Sequence, residues 1–183
     1  MNLNELRDEA YSIAKANGWH NEEHSDEHWL MLILTEIAEA VQADREGKRA
    51  DADSFKVRIN DNTDNDIFEY AYAYCISSTL EDELADVVIR CLNLAGLRGI
   101  DLTHALDSMD ELSTETFGEW TFTETAYDMC FPVVTGNAEA AVLSTIEYVF
   151  HYCKAKGIDI EWFIAQKMKY NKLRPYRHGG KKY

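Results

Sequence analysis

Trp29-Leu-Met-Leu-Ile-Leu-Thr-Glu-Ile-Ala-Glu-Ala-Val41 and Glu81-Asp-Glu-Leu-Ala-Asp-Val-Val-Ile89 are apolar at helical spacing, and each carries acids inside the apolar run. Glu36 and Glu39 are three residues apart, as are Glu83 and Asp86, so each pair projects from one side of its helix. Glu36 shares its stripe with Leu32, Ile33 and Ala40, which keeps it off a freely solvated face. Removing an ionised carboxylate from water costs several kcal/mol unless a positive group compensates it. No lysine or arginine lies between Lys15 and Arg45, so helix-local cations cannot neutralise the first pair. A divalent cation shared by both pairs would do so. Oxygen-only ligation favours magnesium, with manganese as the alternative, over zinc. Di-iron bundles use Glu-x-x-His pairs, and no such pair occurs here. Acid pairs at this spacing are also common on solvated helix faces, so spacing alone leaves both readings open.

Outward from these runs the pattern stays helical. Gly18, Gly47, Gly96, Gly99 and Gly157 each follow a periodic apolar stretch, the usual carboxy-terminal cap position. Helices are expected at about 3–17, 26–46, 67–76, 80–97, 101–113, 138–156 and 159–173. Ser78-Thr-Leu-Glu81 fits a capping box, and Asp101 and Asp159 fit amino-terminal caps. Residues 48–66 read as a polar, solvated connection, with a short strand over Ser54 to Asn60 as the lesser option. Within it, Asp61 to Asp66 has a calcium-loop composition but lacks the loop glycine and has Tyr72 at position 12, so a solvated loop is expected. Residues 114–136, with Gly118, Pro132 and Gly136, read as an irregular connection long enough to be a lid, an oligomer contact or an unrecognised element. The chain also echoes itself: Arg98-Gly-Ile-Asp-Leu-Thr-His-Ala-Leu106 resembles Lys156-Gly-Ile-Asp-Ile-Glu-Trp-Phe-Ile164 at an offset of 58 residues. That offset sets Ala141 and Ser144 opposite Glu83 and Asp86.

The chain has 183 residues, 46% of them apolar, which suits one domain spanning 1–183 with a real core. A net charge of −15 argues against duplex nucleic acid and anionic membranes as partners, because both would be repelled. Cys75, Cys91, Cys130 and Cys153 are isolated and read as reduced packing thiols of a cytoplasmic protein. The acidic, amphipathic amino terminus does not read as a signal peptide, and the longest apolar run, Trp29 to Leu34, is far short of a membrane span. Charge is unevenly placed: residues 167–183 contain no acid, while the remainder carries all 33 acids and 11 of the 18 basic groups. Acids for a cation beside a basic tail for phosphate would suit a small polyphosphate.

Lys167, Asn171 and Arg174 form an i, i+4, i+7 stripe leading into Leu173-Arg-Pro-Tyr-Arg-His-Gly-Gly180. An ammonium, an amide and a guanidinium on one face suit phosphate oxygens. The plainer reading is a basic, fraying carboxy terminus, and the amphipathic Trp162 to Tyr170 run that feeds the stripe argues against it. Glu36-x-x-Glu39, Glu83-x-x-Asp86 and Lys167-x-x-x-Asn171-x-x-Arg174-Pro175, in this order, resemble the MazG-like, all-α nucleoside triphosphate pyrophosphohydrolases.

The resemblance implies an all-α, four-helix-type bundle, a homodimer or higher homo-oligomer, that depends on magnesium. It would act on a nucleotide (NTP or dNTP), releasing pyrophosphate and leaving a monophosphate. Glu36, Glu39, Glu83 and Asp86 would hold the metal, and either Glu36 or Glu39 would accept the proton of the attacking water. Lys167 and Arg174 would hold the departing pyrophosphate while Asn171 positions the substrate. Trp19, His20, Trp29, Tyr70, Tyr72 and Tyr74 are candidates for stacking on a base, each with packing as its simpler role. Arg90 and Asn93 lie beside the second acidic stripe, and Glu81 and Asp82 read as first-turn acids that complement the helix dipole. Two departures from the family stand out. Thr35 occupies the place of a second adjacent Glu, and residues 48–79 read as an insertion before the basic tail at 175–183 is reached. The alternative is a non-catalytic helical module that binds nucleotide or protein on the same scaffold.

Overall fold

The computed structural model describes residues 2–60, 63–107, 117, 119–180 and 182, and every element among them is helical. The order is α1 (Leu3–Ala16), α2 (Asp26–Arg45), α3 (Ala52–Arg58), α4 (Asn65–Cys75), α5 (Leu80–Arg98), α6 (Phe122–Thr135), α7 (Ala138–Lys156), α8 (Ile160–Leu173) and a four-residue turn, α9 (Arg177–Gly180). Among the described residues no helix is long and apolar enough to cross a membrane, and the four cysteines are free.

α5 is the axis of the bundle and packs against α1, α2, α7 and α8. Leu84, Ala85, Val87, Leu92 and Leu94, spread over about half of its circumference, are completely buried. A helix apolar over most of its circumference belongs in an interior, and here the interior position also carries the acids at the amino-terminal half of α5 out of bulk water. α6 covers α2 and α7, and α3 and α4 pair with each other and lean on α8.

The expected helices at both ends of the chain and around the acidic runs are present with nearly the expected limits. Five details differ. Thr79, not Ser78, caps α5, its hydroxyl taking the N–H of Asp82 while Ser78 sits at φ 59°. Gly96 lies inside α5 and ends nothing: an added Cβ would sit 2.6 Å from Cβ of Tyr11, so the missing side chain lets α1 approach closely. Residues 101–107 form turns, not the start of a helix; Asp101 accepts from the N–H of Thr103 (3.0 Å) and from Asn4 (2.8 Å) instead of capping one. The remainder of the expected helix, 108–113, falls outside the described residues, as do 61 and 62 of the acidic loop. The polar 48–66 connection contains α3, capped by Asp51 and anchored by the fully buried Phe55, and the strand at Ser54 to Asn60 does not form. The irregular 114–136 connection contains α6, opened by a complete capping box between Thr121 and Glu124.

α5 and α7 share the 58-residue offset in full. Both are 19 residues long and both end at a glycine in the left-handed region, Gly99 at φ 66° and Gly157 at φ 69°. The echo stops there, because α8 has no helical counterpart at 101–107.

Phe55→Ala should destabilise the protein by about 3–5 kcal/mol, whereas Val57→Ala, at an 87% exposed site, should stay within about 0.5 kcal/mol. Urea unfolding checks this, and similar costs for the two would mean that α3 is not docked.

Candidate active site

A cleft of about 410 Å3 opens between α1, α2, α5 and α8, and all seven residues singled out from the sequence line it: Glu36, Glu39, Glu83, Asp86, Lys167, Asn171 and Arg174. α2 supplies the first acid pair, α5 the second, and α8 the stripe opposite. Glu36, Glu39 and Glu83 each place a carboxylate oxygen within 4.8 Å of the other two. Glu36 and Glu83 are buried and Glu39 is exposed at the mouth.

Asp86 stands apart from this trio. Its Oδ2 accepts from Nζ of Lys167 at 2.6 Å, and the same ammonium reaches Oδ1 of Asp82 at 2.9 Å. Tyr72 also donates its hydroxyl to Asp82, and the N–H of Ser78 adds a bond of 2.9 Å. Asp82 is thus no solvated first-turn acid: it is 1% exposed and belongs to an ion triad centred on Lys167. Glu81 is buried as well, accepting from the N–H of Ala50 at 2.9 Å. The triad corrects the expectation that Lys167 faces phosphate freely, since two of its three donors are committed to α5.

Glu36 likewise has a partner that the local sequence does not disclose. Nε of Arg90, 54 positions away, donates to its Oε1 at 2.8 Å. Local sequence lacks a cation near Glu36, and the crossing of α2 with α5 provides one.

The remaining negative charge is poorly compensated. Burial, and then the neighbouring Asp86 and Asp82, push the Glu83 carboxyl up to about 8. Burial and Asp86 raise Glu36 as well, against the opposing pull of Arg90. Burial alone would lower the Lys167 ammonium, yet Asp86 and Asp82 more than offset it and hold the group charged. Because the folded value of Glu83 exceeds its ordinary 4.5, the folded chain binds a proton that the unfolded chain releases. Its contribution to stability therefore declines as pH rises from about 4.5 to about 8. Either a proton or a cation can relieve this cluster, and three converging carboxylates fit a divalent cation.

Around the acids sit groups suited to an organic ligand. The Oδ1 atoms of Asn93 and Asn171 line the cleft or its wall buried and without a donor among the described residues. Arg174 leaves the end of α8 with its guanidinium 5.7 Å over the Tyr170 ring. Trp19 and His178 form part of the rim and meet edge to face at 5.0 Å. Of the other stacking candidates, Tyr72 is buried under the site, His20 packs on Trp29, and Tyr70 and Tyr74 stack on each other on the exposed side of α4. Thr35 lines the cleft too, but its hydroxyl donates to the carbonyl of Leu32 at 2.6 Å.

The basic tail is docked and does not fray, as far as Gly180. Tyr176 occupies the space over Gly18, where a Cβ would lie 2.1 Å from its ring. Gly18 is at φ +83°, which a glycine adopts without strain. Asn21 donates to the Tyr176 hydroxyl at 2.9 Å, and Arg177 bonds the carbonyl of Asn17 and the carboxylate of Glu22. Arg177 and His178 themselves hold positive φ, a strained conformation for residues with side chains.

No protein-family model, curated protein or solved structure matches the chain.

Lys167→Met should cost about 3–5 kcal/mol at neutral pH, because it strands two carboxylates in the interior. Lys169→Met, an exposed residue over Phe68, should cost less than about 1 kcal/mol. The Lys167 deficit should shrink in acid as Asp82, whose carboxyl burial pushes upward, takes up a proton. Denaturant titrations of both variants across pH test the triad, and equal, pH-independent costs would remove it.

Proposed function

We propose that the chain is a magnesium-dependent nucleoside triphosphate pyrophosphohydrolase of the MazG-like kind, acting as a homo-oligomer on an NTP or dNTP. The observation that carries this reading is the convergence of Glu36, Glu39 and Glu83 within 4.8 Å of one another, in a cleft that Asn171 and Arg174 also line. Neither the acids nor the α8 stripe would be expected to meet if each belonged to a solvated surface.

Glu36, Glu39 and Glu83 would hold the cation, with Asp86 beside them and kept in place by Lys167. Bound there, magnesium would neutralise phosphate oxygens and make a nearby water more acidic. Glu39, exposed at the mouth and with no cation bonded to it among the described residues, would accept the proton of a water attacking the α-phosphorus. Arg174 offers a planar fork to the departing pyrophosphate. Asn171 has an acceptor free for a hydroxyl or amine of the nucleoside. Lys167 orders Asp86 and Asp82, a supporting part in place of the direct phosphate contact expected from its stripe.

One observation favours the non-catalytic alternative. Arg90 and Lys167 already neutralise Glu36 and Asp86, so part of the cluster is stable without an added ion.

A panel of ribo- and deoxynucleoside triphosphates with magnesium, read by pyrophosphate release, separates the two. The enzyme reading expects turnover on at least one nucleotide, reduced to background by Glu83→Gln with helicity unchanged, and reduced about tenfold by Asn171→Ala. Metal binding should also depend on pH. Glu83 holds a proton below about 8, and a cation must displace it, so affinity for Mg2+ or Mn2+ should rise roughly tenfold per unit toward pH 8 and then level off. Calorimetry in buffers of different ionisation enthalpy should find about one proton released at pH 6.5 and none above pH 9. A flat profile would place the metal elsewhere.

A further inference from the structure

Among the described residues, three side chains that are cationic at neutral pH line the cleft: Arg90, Lys167 and Arg174. Lys167 is committed to Asp82 and Asp86 at 2.9 and 2.6 Å. Arg90 is committed only in part. Its Nε donates to Glu36 at 2.8 Å, and its two terminal nitrogens make no hydrogen bond among the described residues. A guanidinium normally meets a carboxylate through two parallel bonds. Here one bond is made, and half of the fork is left over in a cleft where the neighbouring acids converge. The side chain is 27% exposed and lines the cleft, with its other side toward His28.

Resting on the metal and nucleotide reading above, we infer that Arg90 exchanges partners: it neutralises Glu36 in the metal-free protein and binds phosphate oxygens of the substrate once a divalent cation occupies the acids. The bond to Glu36 is a placeholder with two consequences. It competes with the cation for the Glu36 carboxylate. It also keeps the guanidinium within a helix turn of Asp86, beside the place where the phosphates must lie if the acids hold their cation. Arg90 thereby takes on α5 the phosphate role that the sequence pattern assigns to Lys167 on α8. A merely structural Arg90 makes the opposite statement about metal: removing it would disorder Glu36 and weaken the site.

The test uses binding, not turnover, on the full chain. Mn2+ alone and inorganic pyrophosphate in saturating Mg2+ are each titrated by calorimetry into the wild type, Arg90→Gln and Arg90→Lys. The expected result is opposite movement. Arg90→Gln should bind Mn2+ several-fold tighter, because Glu36 has lost its competitor, and pyrophosphate about 10–100-fold more weakly. Arg90→Lys, which keeps the charge and guards against misfolding of the neutral variant, should bind Mn2+ like the wild type and pyrophosphate with an intermediate loss, lacking the fork. Weaker or unchanged Mn2+ binding in Arg90→Gln, or unchanged pyrophosphate binding, overturns the exchange while leaving the functional reading standing. A wild type that binds neither Mn2+ nor pyrophosphate overturns the functional reading and this inference with it.

Discussion

The structure is organised around the cost of carrying carboxylates on a helix that is buried on all sides but the one facing the cleft. Glu81, Asp82 and Glu83 all lie in the first turn of α5 and all are buried. The amino-terminal end of a helix favours negative charge, but that effect is worth about 1 kcal/mol, far less than the desolvation of three acids. Each therefore needs its own solution. Glu81 takes a backbone N–H, and Asp82 takes Lys167, Tyr72 and the N–H of Ser78. Glu83 has none of these among the described residues, and burial beside Asp86 and Asp82 suppresses its acidity. The fold thus sorts neighbouring acids into those it satisfies internally and those it leaves to be satisfied from the cleft.

That sorting gives the segment before α5 a definite part. α3 and α4 are not a detached insertion, because Phe55 and Phe68 bury against each other and Tyr72 extends from α4 to Asp82. The Tyr72 ring also stacks on Tyr170 at 4.4 Å, one residue before Asn171. Two functional elements, the acidic end of α5 and the stripe of α8, are therefore buttressed by the same aromatic side chain. A change in α4 would be felt at the site through Asp82 and Tyr170 together, without touching a ligand.

The helical class and the seven lining residues were legible in the sequence because both rest on short-range periodicity. Spacing of i, i+3 puts Glu36 and Glu39, or Glu83 and Asp86, on one side whatever the tertiary arrangement. What could not be read was which charge meets which. Arg90 and Glu36 are 54 positions apart, Lys167 and Asp82 are 85 apart, and nothing local distinguishes Lys167 in its triad from Lys169 outside it. α6 was hidden by Pro132, read as a breaker, although Thr121-x-x-Glu124 ahead of an apolar run is a capping box that announces a helix. α3 was hidden by its brevity: at seven residues it has one buried anchor and no amphipathic period to detect. Gly96 looked like a cap because a glycine that stops a helix and one that admits a neighbour are alike in sequence.

The relation between α5 and α7 bears on why the acids are there at all. The two helices have the same limits at an offset of 58, with the same length and the same left-handed glycine at the end. In α7 the positions of Glu83 and Asp86 are Ala141 and Ser144, and Ala141 is as fully buried as any residue in the chain. The same helical frame is therefore packed into the same bundle with small side chains and no ion triad. Replacing buried ion pairs by well-packed neutral groups is often neutral or stabilising, so the acids of α5 are not a requirement of folding. They impose on this chain a lysine and a tyrosine that serve chiefly to make them tolerable. A set of charges that the fold does not need, gathered at one cleft and left partly uncompensated there, is best understood through what enters that cleft.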